Sequence, residues 1–154
     1  MNNTSKYDFT VIVPLYNEED NVWALEEKLG AWLKAAPVRS CVLFVDDGST
    51  DSSFERVREV CGRNDHFHYL QLSRNSGLSA ALKAGFDAAE SPWLGYIDAD
   101  LQTTPEDFNL LLSHTGDYDM VIGIRAHRRD TGFKKLHHVD SLSLHFTAFL
   151  RHRQ

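Results

Sequence analysis

Two aspartates one residue apart, Asp98 and Asp100, end an apolar run in the stretch "YIDADLQTTPEDF". Residues i and i+2 of a strand point to the same side, so both carboxylates face one pocket if the strand continues through Asp100. Two carboxylates and the carbonyl oxygen of Gln102 are hard ligands of the kind that Mg²⁺ or Mn²⁺ prefers, with phosphate oxygens completing the shell. The pattern therefore predicts a divalent-cation site. The alternative interpretation is a solvated loop in which Asp100 caps the turn.

A second acidic pair, Asp46 and Asp47, ends another apolar run in "VDDGSTDSS". This composition is typical of a turn before a helix, where Asp51 or Ser52 would be the cap and Ser52 with Glu55 forms a capping-box signature. Two adjacent aspartates exceed what a cap needs, so we expect one of them to accept hydrogen bonds from a base or a ribose. The sequence contains no G-x-x-x-x-G-K-[ST] and no G-x-G-x-x-G after its first apolar run. These absences disfavour a P-loop nucleotidase and a dinucleotide oxidoreductase.

Alternating apolar runs and helical patterns must position these acids. Five β-rich runs are predicted as strands, at 9–13, 41–46, 67–72, 93–98 and 118–122. Helical spacing of apolar residues predicts helices between them, at 19–35, 52–61, 77–90 and 105–114. This order indicates an α/β domain with a largely parallel sheet covered on both faces. Because ligands of such sheets bind beyond the carboxyl ends of the strands, both acidic pairs are predicted to lie at one edge.

Composition sets the class of protein. The 154 residues are 42% apolar and 25% charged with a net charge of −6, which fits one globular domain and gives no basic surplus for nucleic acid. No run approaches the roughly 20 apolar residues of a membrane helix. The N-terminus lacks the pattern of a secretory signal, so a cytoplasmic location is expected. Cys41 and Cys61 fit no metal spacing and are predicted to be free thiols.

Five motifs occur in order along the chain: "VIVPLYNEEDNV", "VDDGSTDSS", "RNSGLSAALKAGFDAA", "YIDADLQTTPEDF" and "VIGIR". Together, over about residues 9 to 130, they resemble glycosyltransferase family 2, the inverting nucleotide-sugar transferases. The resemblance implies the GT-A fold, a Rossmann-like α/β architecture with a mostly parallel sheet between helices. "DADLQ" followed by a proline and a glutamate is most similar to the branch that glycosylates polyprenyl phosphates. That branch includes dolichol-phosphate mannosyltransferases and bacterial undecaprenyl-phosphate glycosyltransferases.

The resemblance also implies roles for individual residues. The nucleotide would be bound by Pro14, Tyr16, Glu18, Asp46, Asp47, Arg74, Gly77 and Asp98. The divalent metal, Mg²⁺ or Mn²⁺, would be bound by Asp100 and Gln102, with Asp98 helping to position it. The catalytic residues would be Asp98, Asp100 and Arg125, of which Arg125 contacts the diphosphate or the acceptor phosphate.

The implied reaction moves a sugar from a UDP- or GDP-sugar to an acceptor, for which a polyprenyl phosphate at the inner face of the membrane is the expected partner. A cation and a guanidinium would stabilise the charge that builds on the leaving diphosphate. No convincing general base is identified, and an anionic lipid phosphate does not need a strong one. Two alternatives remain. One is a donor-binding module without turnover. The other is a GT-A-like sugar nucleotidyltransferase, which usually has a glycine- and lysine-rich loop after the first strand that "PLYNEEDN" lacks.

The C-terminal residues match the motifs of this family less well. The nucleotide-sugar-binding domain is predicted to span 1–135, and the acceptor-binding part is expected to be missing. Residues 136–154 are predicted as a tail that is either a truncated end or a final helix, from the spacing of Val139, Leu142, Phe146 and Phe149. Surface positions are favoured over metal binding for His127, His137, His138 and His145. The basic run "RAHRRDTGFKK" is either a solvated loop or a contact for phosphate or an anionic membrane.

Overall fold

The computed structural model describes residues 4–122 and 148–151. The strands are β1 (Phe9–Leu15), β2 (Ser40–Asp46), β3 (Phe67–Gln71), β4 (Trp93–Tyr96), β5 (Met120–Ile122) and β6 (Ala148–Arg151). The helices are α1 (Val22–Ala35), α2 (Ser53–Arg63), α3 (Leu78–Ala88) and α4 (Asp107–Leu112). Within these described residues, none of the helices combines the length and apolar character needed to cross a bilayer.

One six-stranded sheet has the order β3-β2-β1-β4-β6-β5. Strands β3, β2, β1 and β4 are parallel, and β6 lies antiparallel between β4 and β5. The prediction of a largely parallel sheet is therefore confirmed. The chain adds β2 and β3 on one side of β1 and β4 on the other, so the strand order switches between β1 and β4. Open sheets of this type bind ligands beside such a switch.

Alternation along β1 divides the core into two layers. Val11 and Val13 belong to the cluster that contains Leu25 of α1 and apolar residues of α2 and α4. Ile12, which points the opposite way, packs in a second cluster with Ala81 of α3. The sheet thus lies between helices, as predicted. Gly85 lets α3 approach closely, because a Cβ there would lie 2.7 Å from Ile12 Cγ2.

Several element boundaries differ from prediction, and two of these lie on either side of the loop after β4. Strand β4 ends at Tyr96, and its last contact is the Ile97 amide donating to the carbonyl of Ile12 at 3.0 Å. Helix α4 begins two residues later than predicted, since Phe108 N bonds Pro105 O at 3.1 Å in the i→i−3 pattern of a 3₁₀ turn. Asp98 and Asp100 therefore both follow the strand, although the predicted strand had included Asp98.

Of the two alternatives for residues 136–154, a truncated end or a final helix, the helix is wrong over Ala148–Arg151, which form β6. Phe149 lies opposite Gly95 on β4 and Val121 on β5. The apolar spacing typical of a helix did not decide the structure here, because β4 and β5 both present backbone N–H and C=O groups. A strand can form hydrogen bonds with these groups, whereas a helix cannot. Val139, Leu142 and Phe146 lie outside the described residues.

Candidate active site

The carboxyl ends of the parallel strands meet at one edge of the sheet. The register places Leu15 of β1 opposite Asp46 of β2, and Ile12 opposite Tyr96 at the end of β4. The loops that follow these strands leave from this edge, beside the switch in strand order. Both acidic pairs predicted from the sequence therefore lie on the same side of the sheet.

The loop after β1 (residues 16–21) and the loop after β2 (residues 47–52) are joined by hydrogen bonds that backbone amides donate, and together they are called the clasped loops. Asn17, at φ 54°, donates its N–H to Ser49 Oγ at 2.9 Å, and its side-chain oxygen accepts from Thr50 N at 2.8 Å. The next amide, that of Glu18, donates to Ser53 Oγ at 2.8 Å. Because each loop satisfies the other's polar groups, the two loops form one rigid unit.

The predicted capping box at the start of α2 is not formed. Ser52 has φ −82° and ψ 13°, outside the extended conformation of an N-cap, and its side chain makes no capping hydrogen bond. Its amide donates to Glu19 Oε2 at 3.1 Å, while Asp51 accepts from Ser53 N at 2.9 Å and from Glu19 N at 3.3 Å. Burial alone would raise the pKa of Asp51, but the hydrogen bonds from Ser53 and Glu19 lower it below its ordinary value of 3.8.

Asp46 is fully buried at the end of β2. Its carboxylate accepts hydrogen bonds from Ser49 N at 3.3 Å and from Gln71 Nε2 at 3.3 Å. A buried carboxylate is costly without donors, and these two donors come from the turn that follows and from the neighbouring strand β3. Asp46 thus joins β2, β3 and the clasped loops.

Asp47 is 3% exposed and faces the loop that opens α3. Its two oxygens accept from Ser76 N and Gly77 N, each at 2.8 Å. Gly77 has φ +88°, a conformation that side chains rarely adopt, so the carboxylate fixes a turn that needs glycine. The Asp47 carboxylate, which was predicted to contact a base or ribose, thus accepts hydrogen bonds from the protein's own backbone.

Gly48 is a site residue that the sequence reasoning missed. It has φ +70°, and a Cβ there would lie 2.5 Å from the carbonyl carbon of Arg74. The loops after β2 and β3 therefore touch backbone to backbone, which only glycine permits. The glycine of "DDGS" was the available signal. The Arg74 side chain itself is exposed.

A cavity of about 230 Å³ opens at this edge. Its walls are Pro14, Leu15, Tyr16, Asp47, Asn75, Gly77, Leu78 and Ala81. Four of the predicted nucleotide-binding residues are thus brought together: Pro14, Tyr16, Asp47 and Gly77. The structure does not place Glu18, Asp46, Arg74 or Asp98 in these walls. The Glu18 carboxylate accepts a hydrogen bond from Asn21 Nδ2 at 2.7 Å, at the start of α1.

Leu78 and Asn75 were missed by the sequence reasoning. Leu78 is 55% exposed and Tyr16 is 41% exposed, and both line the cavity. An exposed leucine and an exposed tyrosine beside one cavity give it apolar walls suited to a planar ring.

The loop after β4, residues 97–106, carries the other pair of acids. Asp98 is half-buried, and burial together with the negative charge of Asp98 raises the pKa of Tyr96. Asp100 is exposed, and its Oδ1 accepts a hydrogen bond from Gln102 N at 3.0 Å. Leu101 has φ +62°, so the turn between the two residues is strained for a side chain of that size. The turn cap considered as the alternative for Asp100 is present.

The donor chemistry of this loop fits a divalent cation. Accepting one hydrogen bond leaves a carboxylate with further lone pairs, so the cap and metal binding are compatible at Asp100. Among the residues that the structure describes, no three histidine, cysteine or acidic side chains form a metal-binding group. Mg²⁺ commonly binds through one or two carboxylates together with water and substrate phosphates. The two acids and Gln102 match that open kind of site.

Lys28 of α1 is a fourth residue that the sequence reasoning missed. Its Nζ donates to the carbonyls of Leu101 and Thr103, each at 3.0 Å. The available signal was its position in the helix, three residues after Leu25 and one before Leu29 at the edge of the buried stripe. Arg125, the four histidines and the basic run lie outside the described residues.

Comparisons with known proteins find similar sequences among enzymes named for polyprenyl phosphates. The chain is 34% identical over 126 residues to the dodecaprenyl-phosphate galacturonate synthase of Rhizobium johnstonii, which covers 80% of this chain and 37% of that protein. It is 36% identical over 129 residues to the undecaprenyl-phosphate 4-deoxy-4-formamido-L-arabinose transferase of Pectobacterium carotovorum subsp. carotovorum, covering 82% of this chain and 39% of that protein. The chain thus spans about 40% of the length of these relatives.

Solved structures share the fold. A mannosyltransferase of Pyrobaculum calidifontis in complex with GDP-Man and Mn²⁺ has a TM-score of 0.61 at 24% identity, over 75% of this chain and 34% of that one. S. aureus TarS in complex with UDP-GlcNAc has a TM-score of 0.60 at 24% identity, over 75% of this chain and 33% of that one. The fold is that of the GT-A glycosyltransferases.

The family follows from the sequence. The sequence model of glycosyl transferase family 2 matches residues 10–153, so the chain belongs to this family. The match continues to residue 153, beyond the last of the five motifs. β6 lies in this C-terminal stretch and pairs within the same sheet.

Proposed function

We propose that this chain is an inverting glycosyltransferase that moves a sugar from a UDP- or GDP-sugar to a polyprenyl phosphate. The observation that supports it most directly is the cavity walled by Pro14, Tyr16, Asp47 and Gly77 at the switch in strand order, on the same edge as the loop of Asp98 and Asp100. A nucleoside and its diphosphate need such a pair of neighbouring sites.

The nucleoside occupies the cavity in this proposal. Tyr16 and Leu78 supply exposed apolar walls for the base, and Asp47 lies in the wall with its remaining acceptor capacity directed to the base or ribose. Asp46, Glu18 and Arg74 support this pocket from outside, through the buried end of β2, the clasped loops and the backbone contact with Gly48.

The diphosphate lies over the loop after β4. Asp98, Asp100 and Gln102 would hold Mg²⁺ or Mn²⁺, and the cation would supply positive charge for a nucleoside diphosphate. The exposure of Asp100 lets its carboxylate reach a cation that also contacts the ligand. Arg125 serves as the cationic partner of the diphosphate or of the acceptor phosphate.

The acceptor is assigned from chemistry and from the relatives. Two curated relatives are named for dodecaprenyl and undecaprenyl phosphate. Such an acceptor is already an anion and attacks the sugar from the face opposite the diphosphate, without a strong general base. The enzyme would then work beside the inner face of the membrane, where lipid phosphates are presented.

Calorimetry of nucleotide binding tests the donor site. We expect Mn²⁺ or Mg²⁺ to tighten UDP or GDP binding to the 154-residue chain, and Asp100→Ala to abolish that metal effect, because it removes a ligand of the cation. Glu106→Ala is the matched control, since it removes an exposed carboxylate from the same segment. Binding that does not depend on metal, and is unchanged in Asp100→Ala, contradicts the metal assignment.

Turnover separates the proposal from a donor-binding module. The chain spans about 40% of the length of its relatives, and this observation favours a donor-binding module without turnover. The test measures release of nucleoside diphosphate from UDP- and GDP-sugars, with and without a polyprenyl phosphate. Release that requires the lipid supports transfer, whereas tight nucleotide binding without release from any donor supports the module.

A further inference from the structure

Lys28 is a basic residue placed against an acidic loop, and its contacts are to backbone rather than to the acids. The side chain leaves α1 half-buried, and its ammonium donates to Leu101 O and Thr103 O at 3.0 Å each. These two carbonyls flank Gln102. One side chain therefore fixes both sides of the residue that follows Asp100.

The loop has a reason to need this support. Leu101 adopts φ +62°, a region unfavourable for a leucine, so the turn is maintained by interactions made elsewhere. One such interaction is the bond from Gln102 N to Asp100 Oδ1 at 3.0 Å. The other is the pair of bonds from Lys28, which are charge-assisted and stronger than neutral ones.

Helix α1 is a firm base for this contact. Leu25 and Leu29 are 2% and 1% exposed in the core, so the helix cannot shift without opening it. One turn beyond Lys28, Trp32 Nε1 donates to Asn109 Oδ1 on α4 at 3.0 Å. The segment from the acidic loop to α4 is thus attached to α1 at two points, and Lys28 holds the point beside the acids.

We propose that Lys28 is a positioning residue that holds the loop after β4 in the shape in which Asp100 and Gln102 present oxygens to the divalent cation of a bound nucleotide. This inference rests on the proposed function. The ammonium also repels a cation through space. Geometry and charge therefore act in opposite directions, and the sign of the effect of removing Lys28 shows which one dominates.

The test compares Lys28→Met, which keeps the length of the stem and removes the donors, with Lys28→Arg, which keeps donors and charge. Lys34→Met is the matched control, because it removes the same charge from an exposed position on the same helix. Calorimetry measures UDP and GDP affinity for each chain with and without MnCl₂. Loss of a residue that orients metal ligands typically weakens metal binding by roughly 10–100-fold. We expect Lys28→Met to weaken the Mn²⁺-dependent affinity by at least about tenfold on that basis.

Nucleotide affinity without Mn²⁺ should stay unchanged in Lys28→Met, since the cavity is built by other loops, and Lys28→Arg should recover part of the loss. Hydrogen exchange of the Gln102 amide should become faster in Lys28→Met, and not in Lys34→Met, because the turn loses its anchor. This readout needs no ligand and separates loop geometry from turnover.

The outcomes distinguish this inference from the proposed function. If wild type binds nucleotide more tightly with Mn²⁺ and Lys28→Met binds equally well or more tightly, the positioning role is overturned and the proposed function stands. If affinity falls equally with and without Mn²⁺, Lys28 has only a general structural role and the inference is also overturned. If wild type shows no Mn²⁺ effect, the proposed metal site fails and the role of Lys28 fails with it.

Discussion

The two acidic pairs at the edge of the sheet look alike in the sequence and differ in their surroundings. Asp46 and Asp47 are 0% and 3% exposed, and the oxygens of both accept hydrogen bonds from the protein's own backbone amides. Asp98 is half-buried and Asp100 is exposed, on a loop held from outside by Lys28. The first pair, Asp46 and Asp47, organises loops, whereas Asp100 of the second pair is exposed to solvent.

The cost of burying charge explains the difference. A buried carboxylate without donors is strongly destabilising, so the first pair must be satisfied by the fold before any ligand arrives. An exposed carboxylate is solvated, and a cation can replace that water at little cost to folding. Asp46 and Asp47 should therefore control stability, and Asp98 and Asp100 should control ligand binding.

The largest expected effect is that of Asp47→Ala on stability. The substitution leaves Ser76 N and Gly77 N without their acceptor, and two hydrogen bonds to a charged group are lost. We expect the free energy of unfolding to fall by about 3–5 kcal/mol, measured by urea denaturation. Asp100→Ala, which removes an exposed carboxylate that caps its turn, should cost less than about 1 kcal/mol. Equal losses for the two variants would contradict the comparison.

Gly48→Ala should have the next largest effect. Its Cβ would lie 2.5 Å from Arg74 C, and the residue would be held at φ +70°. Strain and overpacking together should cost about 2–4 kcal/mol of unfolding free energy, measured by the same denaturation. Gly62→Ala in α2 is the control, because its Cβ meets nothing within 4 Å and should stabilise the helix by roughly 0.5 kcal/mol. A neutral Gly48→Ala would show that the loops after β2 and β3 can separate.

The smallest expected effect is the loss of Asp51's contribution to stability at low pH. The pKa of Asp51 is lowered from 3.8 in the clasped loops, so its contribution to stability is present above pH 3.8 and is lost as the pH falls through the folded pKa. Urea denaturation from pH 6 down to pH 2 should show Asp51→Asn less stable than wild type at pH 6. The two curves should converge at the acid end. Parallel curves would mean that the clasp does not depend on the Asp51 charge.

Much of the architecture could be predicted because it depends on local patterns. Alternating strands and helices follow from apolar spacing, and the edge position of the acids follows from the rule that parallel strands end together. Four of the cavity residues, Pro14, Tyr16, Asp47 and Gly77, were named in advance from the resemblance of the motifs to the family. The family match at residues 10–153 extends the resemblance that the five motifs indicated.

What the sequence determined by itself was the order of elements and which polar residues end each strand, since both are set by neighbours along the chain. The tertiary structure decided which acids are buried, because the amides that satisfy Asp47 come from residues 76 and 77, about 30 positions away. It also decided that Ala148–Arg151 pair as a strand and that Lys28 reaches a loop more than 70 residues away. Such contacts depend on the packing of distant segments, which local spacing does not encode. The acids of "DADLQ" keep their predicted place, but the loop that presents them is shaped by α1.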